Sequence, residues 1–197
     1  MTRSKKLTRA LLGLSVICGG LALSGQASAQ LYNYQYQGQC LGVSGGYANT
    51  TKAGTPLIVW SCNGSSDQTH FYAYANSTQQ RFFTGASAYW KNGSLYIQGY
   101  CAGVAAASTQ QGAGVIVWNC DISGNSVPDQ NWIPEQVPYS LPGHPSSTCF
   151  VIKNVNAPGM LLSVAPNGHV ITWPGNPSSH NDNQVWCEDP PSGGIIQ

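Results

Sequence analysis

The sequence predicts an all-β protein built from three copies of one unit. Short apolar runs such as PLIVW, GVIVW and HVITW alternate with clusters rich in Gly, Asn, Pro and Ser. No long stretch places apolar residues at the spacing of an amphipathic helix. Short runs separated by turn-forming residues are typical of the strands of a β-sandwich or β-barrel.

A motif that occurs three times favours a closed barrel. Its openings are GQCLGV, GYCAGV and GMLLSV, whose last valines are Val43, Val104 and Val164. When these openings are aligned, a tryptophan and a glutamine also align in each copy: Trp60, Trp118 and Trp173, then Gln68, Gln130 and Gln184. Three all-β units that cannot bury their apolar faces alone can close around a pseudo-threefold axis. The sequence therefore predicts a β-trefoil, which leaves few strand edges exposed.

These motifs together resemble the ricin B-type lectin family. The family's repeat opens on Cys-Leu-x-Val, contains a Trp-x-Cys strand and closes on Gln-x-Trp, and the resemblance covers Leu31–Glu188. It implies a single trefoil domain over residues 30–197, with a short C-terminal tail. The expected repeats span about 31–95, 96–147 and 148–188.

Two segments lengthen the links between repeats. They are Tyr72–Ser94 and the proline-rich Ile133–Ser147. Because long connections usually run over the surface, we expect both segments to be surface insertions.

Residues 1–29 have the pattern of a secretory signal peptide. Basic residues precede the uncharged segment ALLGLSVICGGLAL, and an A-x-A cleavage pattern ends at Ala29. The apolar segment is too short to span a bilayer. Cys18 is a poor lipoprotein anchor because Ile17 stands where a small residue is usual. We therefore expect a secreted, extracellular protein that begins at Gln30.

The charge of this secreted form disfavours two classes of partner. Four cations and seven carboxylates remain after residue 29, which gives a net charge of 4 − 7 = −3. Such a surface does not attract nucleic acid or anionic lipid. We expect neither nucleic-acid binding nor membrane insertion.

Six cysteines remain after the signal, and an even number in an exported chain predicts disulfides. Repeat symmetry pairs Cys40 with Cys62 and Cys101 with Cys120, each joining an opening to its Trp-x-Cys strand. The third copy has Leu161 and Gly175 at those positions. The remaining pair is then Cys149 with Cys187.

The resemblance implies a shallow sugar pocket in each repeat. An aromatic ring supports the apolar face of a pyranose, and an Asp with an Asn-Gln pair binds its hydroxyl groups. The aligned rings are Trp60, Trp118 and Trp173, and the aligned polar pairs are Asp67–Gln68, Asp129–Gln130 and Asn183–Gln184. The family's Asp, two positions after the opening cysteine, is replaced by Gly42, Gly103 and Ser163.

This replacement affects all three pockets, which either bind sugars differently or no longer bind them. Asp67 and Asp129 could supply a carboxylate from the facing side. The third copy keeps Asn183 and Gln184 and offers the Ser163 hydroxyl, so we expect it to be the least altered. We expect Trp132 and Trp186 to be core residues. We expect the same of His70, which stands in the first repeat where the other two repeats have these tryptophans.

The function predicted from the sequence is non-catalytic carbohydrate binding, with a glycan or polysaccharide as partner and no cofactor or metal. The four histidines lack metal-ligand spacing, and no nucleophile and base are paired as an enzyme requires. The alternative is a trefoil that binds proteins, such as a protease inhibitor or a toxin or adhesin subunit. The missing Asp residues and the long links motivate that alternative.

Overall fold

The computed structural model of the protein describes residues 29–74, 79–84, 88–91, 94–97, 99–120 and 127–188. The predicted signal peptide, apart from Ala29, and the C-terminal tail lie outside these residues. The first strands in the chain are β1 (Ala29–Asn33), β2 (Gln39–Val43), β3 (Leu57–Ser61) and β4 (Thr69–Tyr74). Next come β5 (Gln80–Thr84), β6 (Ala88–Lys91), β7 (Ser94–Ile97), β8 (Tyr100–Val104), β9 (Val115–Asn119) and β10 (Trp132–Val137). The last are β11 (Thr148–Asn154), β12 (Met160–Val164), β13 (Val170–Pro174) and β14 (Val185–Glu188).

The strand pairings form a ring of three units. The last strand of each unit pairs antiparallel with the first strand of the next, as β4 with β5, β10 with β11, and β14 with β1. Within each unit the middle strands form a hairpin, β2–β3, β8–β9 or β12–β13. Strands β6 and β7 form a separate hairpin in the second unit. We propose to divide the units as 29–74, 80–137 and 148–188, because β5 pairs as a first strand.

The three hairpins are tied to one another by backbone hydrogen bonds. The amide of Gly54, in the first hairpin, donates to the carbonyl of Val117 in the second at 2.8 Å. The amide of Gly112 in the second donates to Thr172 in the third at 2.7 Å. The amide of Val59 closes the cycle by donating to the Gly168 carbonyl at 2.9 Å. This cyclic linkage fixes the positions of the strands that carry Trp60, Trp118 and Trp173.

The core lies inside this ring and is rich in β-branched and leucine side chains from the hairpin strands. These buried residues come from the apolar runs, such as PLIVW, and from the openings of the repeats. Central members are Leu41, Val43, Leu57, Val104, Val115, Val117, Leu162, Val164 and Val170. Burial of such side chains is the main favourable contribution to folding.

Three equivalent side chains close the core, one from each unit, as the sequence predicted. Trp132 Nε1 donates to the Ala102 carbonyl at 3.1 Å, and Trp186 Nε1 donates to Leu162 at 2.9 Å. His70 Nε2 lies 2.9 Å from the carbonyl of Leu41, the equivalent position in the first unit. Histidine therefore preserves the tryptophan's hydrogen bond in a smaller side chain. Burial lowers the pKa of His70, and the Leu41 bond and the nearby Asp67 charge oppose this only in part.

The prediction that two inter-repeat segments are surface insertions was wrong. The first contains β5, whose Phe82 and Phe83 are buried. The second contains most of β10 and contributes Val137 and Leu141 to a second apolar cluster. Apolar side chains occur among the polar residues of the first segment and among the prolines of the second, so strands form there despite the loop-like composition.

The three predicted disulfides are all present: Cys40–Cys62, Cys101–Cys120 and Cys149–Cys187. In the third unit, the fully buried Leu161 occupies the space of the missing bridge. A Cβ atom added at Gly175 would lie 2.7 Å from Leu161 Cδ1. The Leu161–Gly175 pair therefore replaces a covalent link by apolar packing.

Candidate functional site

Each predicted pocket is assembled from equivalent elements. The ring comes from the second strand of a hairpin, with Trp60 on β3, Trp118 on β9 and Trp173 on β13. The polar pair lies on a short 3₁₀ turn before the last strand: Ser66–Gln68, Pro128–Gln130 or Asp182–Gln184. The first strand of the hairpin supplies Gly42, Gly103 or Ser163. The structure thus brings together the residues that the sequence aligned.

The three glutamines of the polar pairs are buried and bind the protein itself. Gln184 Nε2 donates to Ser163 Oγ at 3.1 Å and to the Pro174 carbonyl at 3.0 Å. Gln68 Nε2 donates to Ser61 at 2.9 Å, and Gln130 Nε2 donates to Asn119 at 2.7 Å. These bonds fasten each 3₁₀ turn to the end of its hairpin. The glutamines are almost fully buried, and their amide nitrogens are committed to the protein, so their inclusion among the binding residues is corrected to a structural role.

The first pocket is filled by its own tryptophan. A Cβ atom added at Gly42 would lie 2.5 Å from Trp60 Nε1 and 3.0 Å from Asp67 Oδ2. Asp67 is only 1% exposed, and its Oδ1 accepts a hydrogen bond from Ser65 Oγ at 2.6 Å. Trp60 Nε1 and Asp67 Oδ2 are buried and have no hydrogen-bond partner among the described residues. The indole therefore occupies the space that the family's Asp side chain would need, which explains Gly42.

This packing makes Gly42→Ala a destabilising change. The added Cβ must displace Trp60, and overpacking of this kind costs about 1 to 3 kcal/mol of unfolding free energy. Urea unfolding followed by circular dichroism measures the loss. The matched control is Gly114→Ala, where an added Cβ meets no atom within 4 Å. Equal stabilities of the two variants would contradict the described packing of Trp60.

The third pocket also departs from the expectation that it is the least altered. Ser163 is fully buried, and its Oγ donates to the Leu161 carbonyl at 3.0 Å while accepting from Gln184. The amide nitrogen of Asn183 is committed to the Val164 carbonyl at 2.8 Å. Trp173 remains 39% exposed. The third repeat thus keeps an exposed ring but cannot offer the serine hydroxyl, which corrects that assignment.

The second pocket is open. Trp118 is 47% exposed and borders a cleft of about 540 Å³ that also includes Asp129. Burial raises the pKa of Asp129, and a hydrogen bond from its own backbone amide partly offsets this. A Cβ atom added at Gly103 would lie 3.5 Å from Asp129 Oδ2 and 3.0 Å from Gln130 Cγ. Asp129 therefore supplies a carboxylate from the 3₁₀ turn, opposite the strand position where the family has its Asp.

The left-handed backbone turn that borders this cleft was not predicted from the sequence. Ala106 and Ala107 adopt left-handed backbone conformations, with φ of 54° and 49°. The equivalent residues of the first repeat are Gly45 and Gly46, with φ of 77° and 75°. Left-handed alanine costs roughly 1 kcal/mol or more relative to glycine in this region. Their alignment with a Gly-Gly pair is the signal that could have revealed this turn.

The described residues contain neither a candidate metal site nor a candidate membrane-spanning helix. No group of three or more His, Cys, Asp or Glu side chains within them is arranged to hold a metal ion. Over the same residues, no helix has the length and apolar character needed to cross a membrane.

Neither a protein-family model nor a curated protein matches the sequence. Solved structures do match. The designed threefold-symmetric protein ThreeFoil gives a TM-score of 0.59 at 21% identity, covering 82% of this chain and 98% of its own. The β-trefoil lectin of the Vibrio vulnificus hemolysin/cytolysin, solved with N-acetyl-D-lactosamine bound, gives 0.55 at 19% identity and covers 87% and 100%. The chain is a β-trefoil.

Other structural neighbours belong to longer chains, of which this chain matches about a third. The hemolytic lectin CEL-III gives a TM-score of 0.59 at 16% identity, over 84% of this chain but 33% of its own. The exo-β-1,3-galactanase 1,3Gal43A from Clostridium thermocellum gives 0.62 at 16% identity, over 83% and 30%. Several structural neighbours are therefore lectins, in agreement with the ricin B-type resemblance. At these identities the likeness establishes the fold and leaves the ligand to be argued from the site.

Proposed function

We propose that this protein is a secreted, non-catalytic glycan-binding module whose main site is the cleft beside Trp118. The observation that carries the proposal is the exposed Trp118 ring next to the half-buried carboxylate of Asp129 in one cleft. A pyranose has an apolar C–H face that packs on an aromatic ring and a rim of hydroxyl groups that need polar partners. This cleft offers both surfaces.

The polar partner is favourable because it is charged. A carboxylate accepts shorter and stronger hydrogen bonds than a neutral group, and partial burial reduces competition from water. In the first repeat the equivalent carboxylate, Asp67, is fully buried beneath Trp60. In the third repeat Asn183 replaces it. Among the three aligned ring-and-pair sets, only that of the second repeat therefore combines an exposed ring with an accessible carboxylate in the polar pair itself; in the third repeat the exposed carboxylate is the neighbouring Asp182.

Trp173 provides a second, weaker platform. Its ring is exposed and packs near the turn of the second hairpin, where a Cβ added at Gly112 would lie 3.8 Å from it. Two platforms on one rigid scaffold raise the effective concentration for a repeating glycan, so a polysaccharide should bind more tightly than a monosaccharide.

Secretion is supported by the predicted signal peptide, and the three disulfides are compatible with it. A non-catalytic role is supported by the described lining of the cleft, in which Asp129 is the single carboxylate. Glycoside hydrolysis commonly uses two carboxylates that flank the scissile bond. The similarity to the galactanase covers only 30% of that chain.

The alternative function, a protein-interaction module, has less support than glycan binding. It depended partly on long links between repeats, and the structure shows that these contain β5 and most of β10. Pull-down from secreted extracts and assays against common proteases test it directly.

Replacing Trp118 by alanine is expected to weaken glycan binding by at least about tenfold, because it removes the stacking surface. A glycan array and insoluble polysaccharides first identify a ligand, and tryptophan fluorescence titration then measures its affinity. Trp173→Ala is the matched control, since it removes an exposed ring at the equivalent position and should have a smaller effect. No glycan response from the native protein, or equal binding by Trp118→Ala, would exclude this site.

A further inference from the structure

The cleft beside Trp118 is unusually aliphatic for a surface that binds only hydroxyl groups. Five apolar residues contribute to its lining: Val104, Ala106, Ala107, Ile116 and Val127. A plain hexose presents hydroxyl groups around its rim, and a hydroxyl placed against aliphatic side chains loses its hydrogen bonds to water. This wall therefore suits a ligand that carries an apolar substituent.

The alanine methyl groups in this wall are present despite a backbone cost. Ala106 and Ala107 both have left-handed φ values, where the first repeat has Gly45 and Gly46. Glycine would relieve the strain, and strained backbone tends to cluster at functional sites. What the alanines add to the second repeat is two methyl groups that border the cleft.

The charged group on the polar side of the cleft calls for a hydrogen-bond donor on the ligand. Asp129 presents a carboxylate acceptor, and the exposed side-chain amide of Asn119 can accept or donate, whereas the amide nitrogen of Gln130 is already bonded to the Asn119 backbone carbonyl at 2.7 Å. Burial raises the pKa of Asp129, which indicates that its carboxylate is partly shielded from water. A donor on the ligand would replace the lost hydration.

An acetamido group meets both requirements, because it joins an N–H donor to a methyl group. A protonated amine would also bind a carboxylate, but the aliphatic wall makes removal of its hydration shell costly. The neutral amide costs less to desolvate than a charged amine, and its N–H regains a hydrogen bond at Asp129.

We infer that the second-repeat cleft selects sugars with an N-acetyl group over the parent hexoses. The acetamido methyl contacts Ala106 and Ala107, its N–H donates to Asp129, and the pyranose ring packs on Trp118. This inference rests on the proposed glycan-binding function and narrows its ligand class.

The test compares three methyl glycosides that share one ring: those of N-acetylglucosamine, glucosamine and glucose, with the galactose series in parallel. Isothermal titration calorimetry measures their affinities for the native protein. We expect the N-acetyl compound of at least one series to bind about tenfold tighter than its parent hexose, and the free amine to gain nothing. Trp118→Ala should abolish the preference.

Ala107→Gly provides a second variant that should not harm the fold, because glycine adopts the positive φ freely. Loss of one methyl contact, about 0.8 kcal/mol, should weaken binding of the N-acetyl compound about fourfold, and by more than it weakens binding of the parent hexose to the same variant. Thermal unfolding confirms that the variant is folded.

The outcomes separate this inference from the function beneath it. Equal affinity for hexose and N-acetyl sugar, with binding still dependent on Trp118, overturns the inference and retains the function. Tightest binding of the free amine also overturns it, since the cleft would then recognise charge. If neither these glycosides nor any array glycan binds, the proposed function fails and the inference fails with it.

Discussion

Replacing Trp132 by alanine is expected to lower the free energy of unfolding by about 3 to 5 kcal/mol, the usual cost of removing a large aromatic side chain from a core. Trp132 is fully buried, and its ring stacks on Phe82 with centroids 5.9 Å apart. The change also leaves the buried Ala102 carbonyl without its indole donor. Urea unfolding monitored by circular dichroism measures the loss.

The matched variant is Trp132→His. The first repeat already carries His70 at this position, bonded to the equivalent carbonyl of Leu41. Histidine at residue 132 can keep that hydrogen bond, so above pH 7 it should cost less stability than alanine. A loss below 1 kcal/mol in Trp132→Ala would mean that this ring does not close the core.

The second large effect is loss of stability in acid through His70. Its pKa in the folded protein is lowered from the ordinary 6.5, mainly by burial. The unfolded chain therefore binds a proton that the folded protein excludes, and stability falls as pH drops below 6.5. The decline is up to about 1.4 kcal/mol per pH unit, until the folded protein also binds the proton.

Two carboxylates act in the opposite direction at lower pH. Burial raises the pKa of Asp129 and of Glu188, so the folded protein binds protons there more readily than the unfolded chain. Their protonation supports the fold as pH falls toward their ordinary values of 3.8 and 4.5.

The variant His70→Gln isolates the histidine, because glutamine supplies an amide donor that does not titrate. Chemical unfolding of both proteins between pH 8 and 5 should show a decline in the native protein that is largely absent from His70→Gln. Parallel curves would contradict the assignment to His70.

The features that the sequence predicted are those set by spacing along the chain. Cys40 and Cys101 lie on the first strand of their hairpins, and Cys62 and Cys120 directly follow the second strand, so their repeated spacing identified both bridges. The recurrence of the motif likewise predicted the threefold arrangement, since each copy buries its apolar face only against the others.

The state of each pocket could not be predicted in this way, because it depends on side-chain packing between elements. Trp60 and Trp118 align in sequence, yet one indole lies over Gly42 and the other is exposed beside a cleft. Ser163 gives another example, because its hydroxyl aligns with a ligand-binding position but is buried and hydrogen-bonded to Gln184. A motif identifies which residues meet and leaves their orientation undetermined.

Nuclear magnetic resonance of the indole Nε1–H groups during titration with a glycan tests directly whether the glycan binds beside Trp118. The chain has six tryptophans, and Trp→Phe variants assign their signals. We predict that the Trp118 signal shifts in a saturable way, while the signals of the buried Trp132 and Trp186 stay in place. Saturable binding of a glycan with no change at Trp118 would mean that the glycan binds elsewhere on the protein.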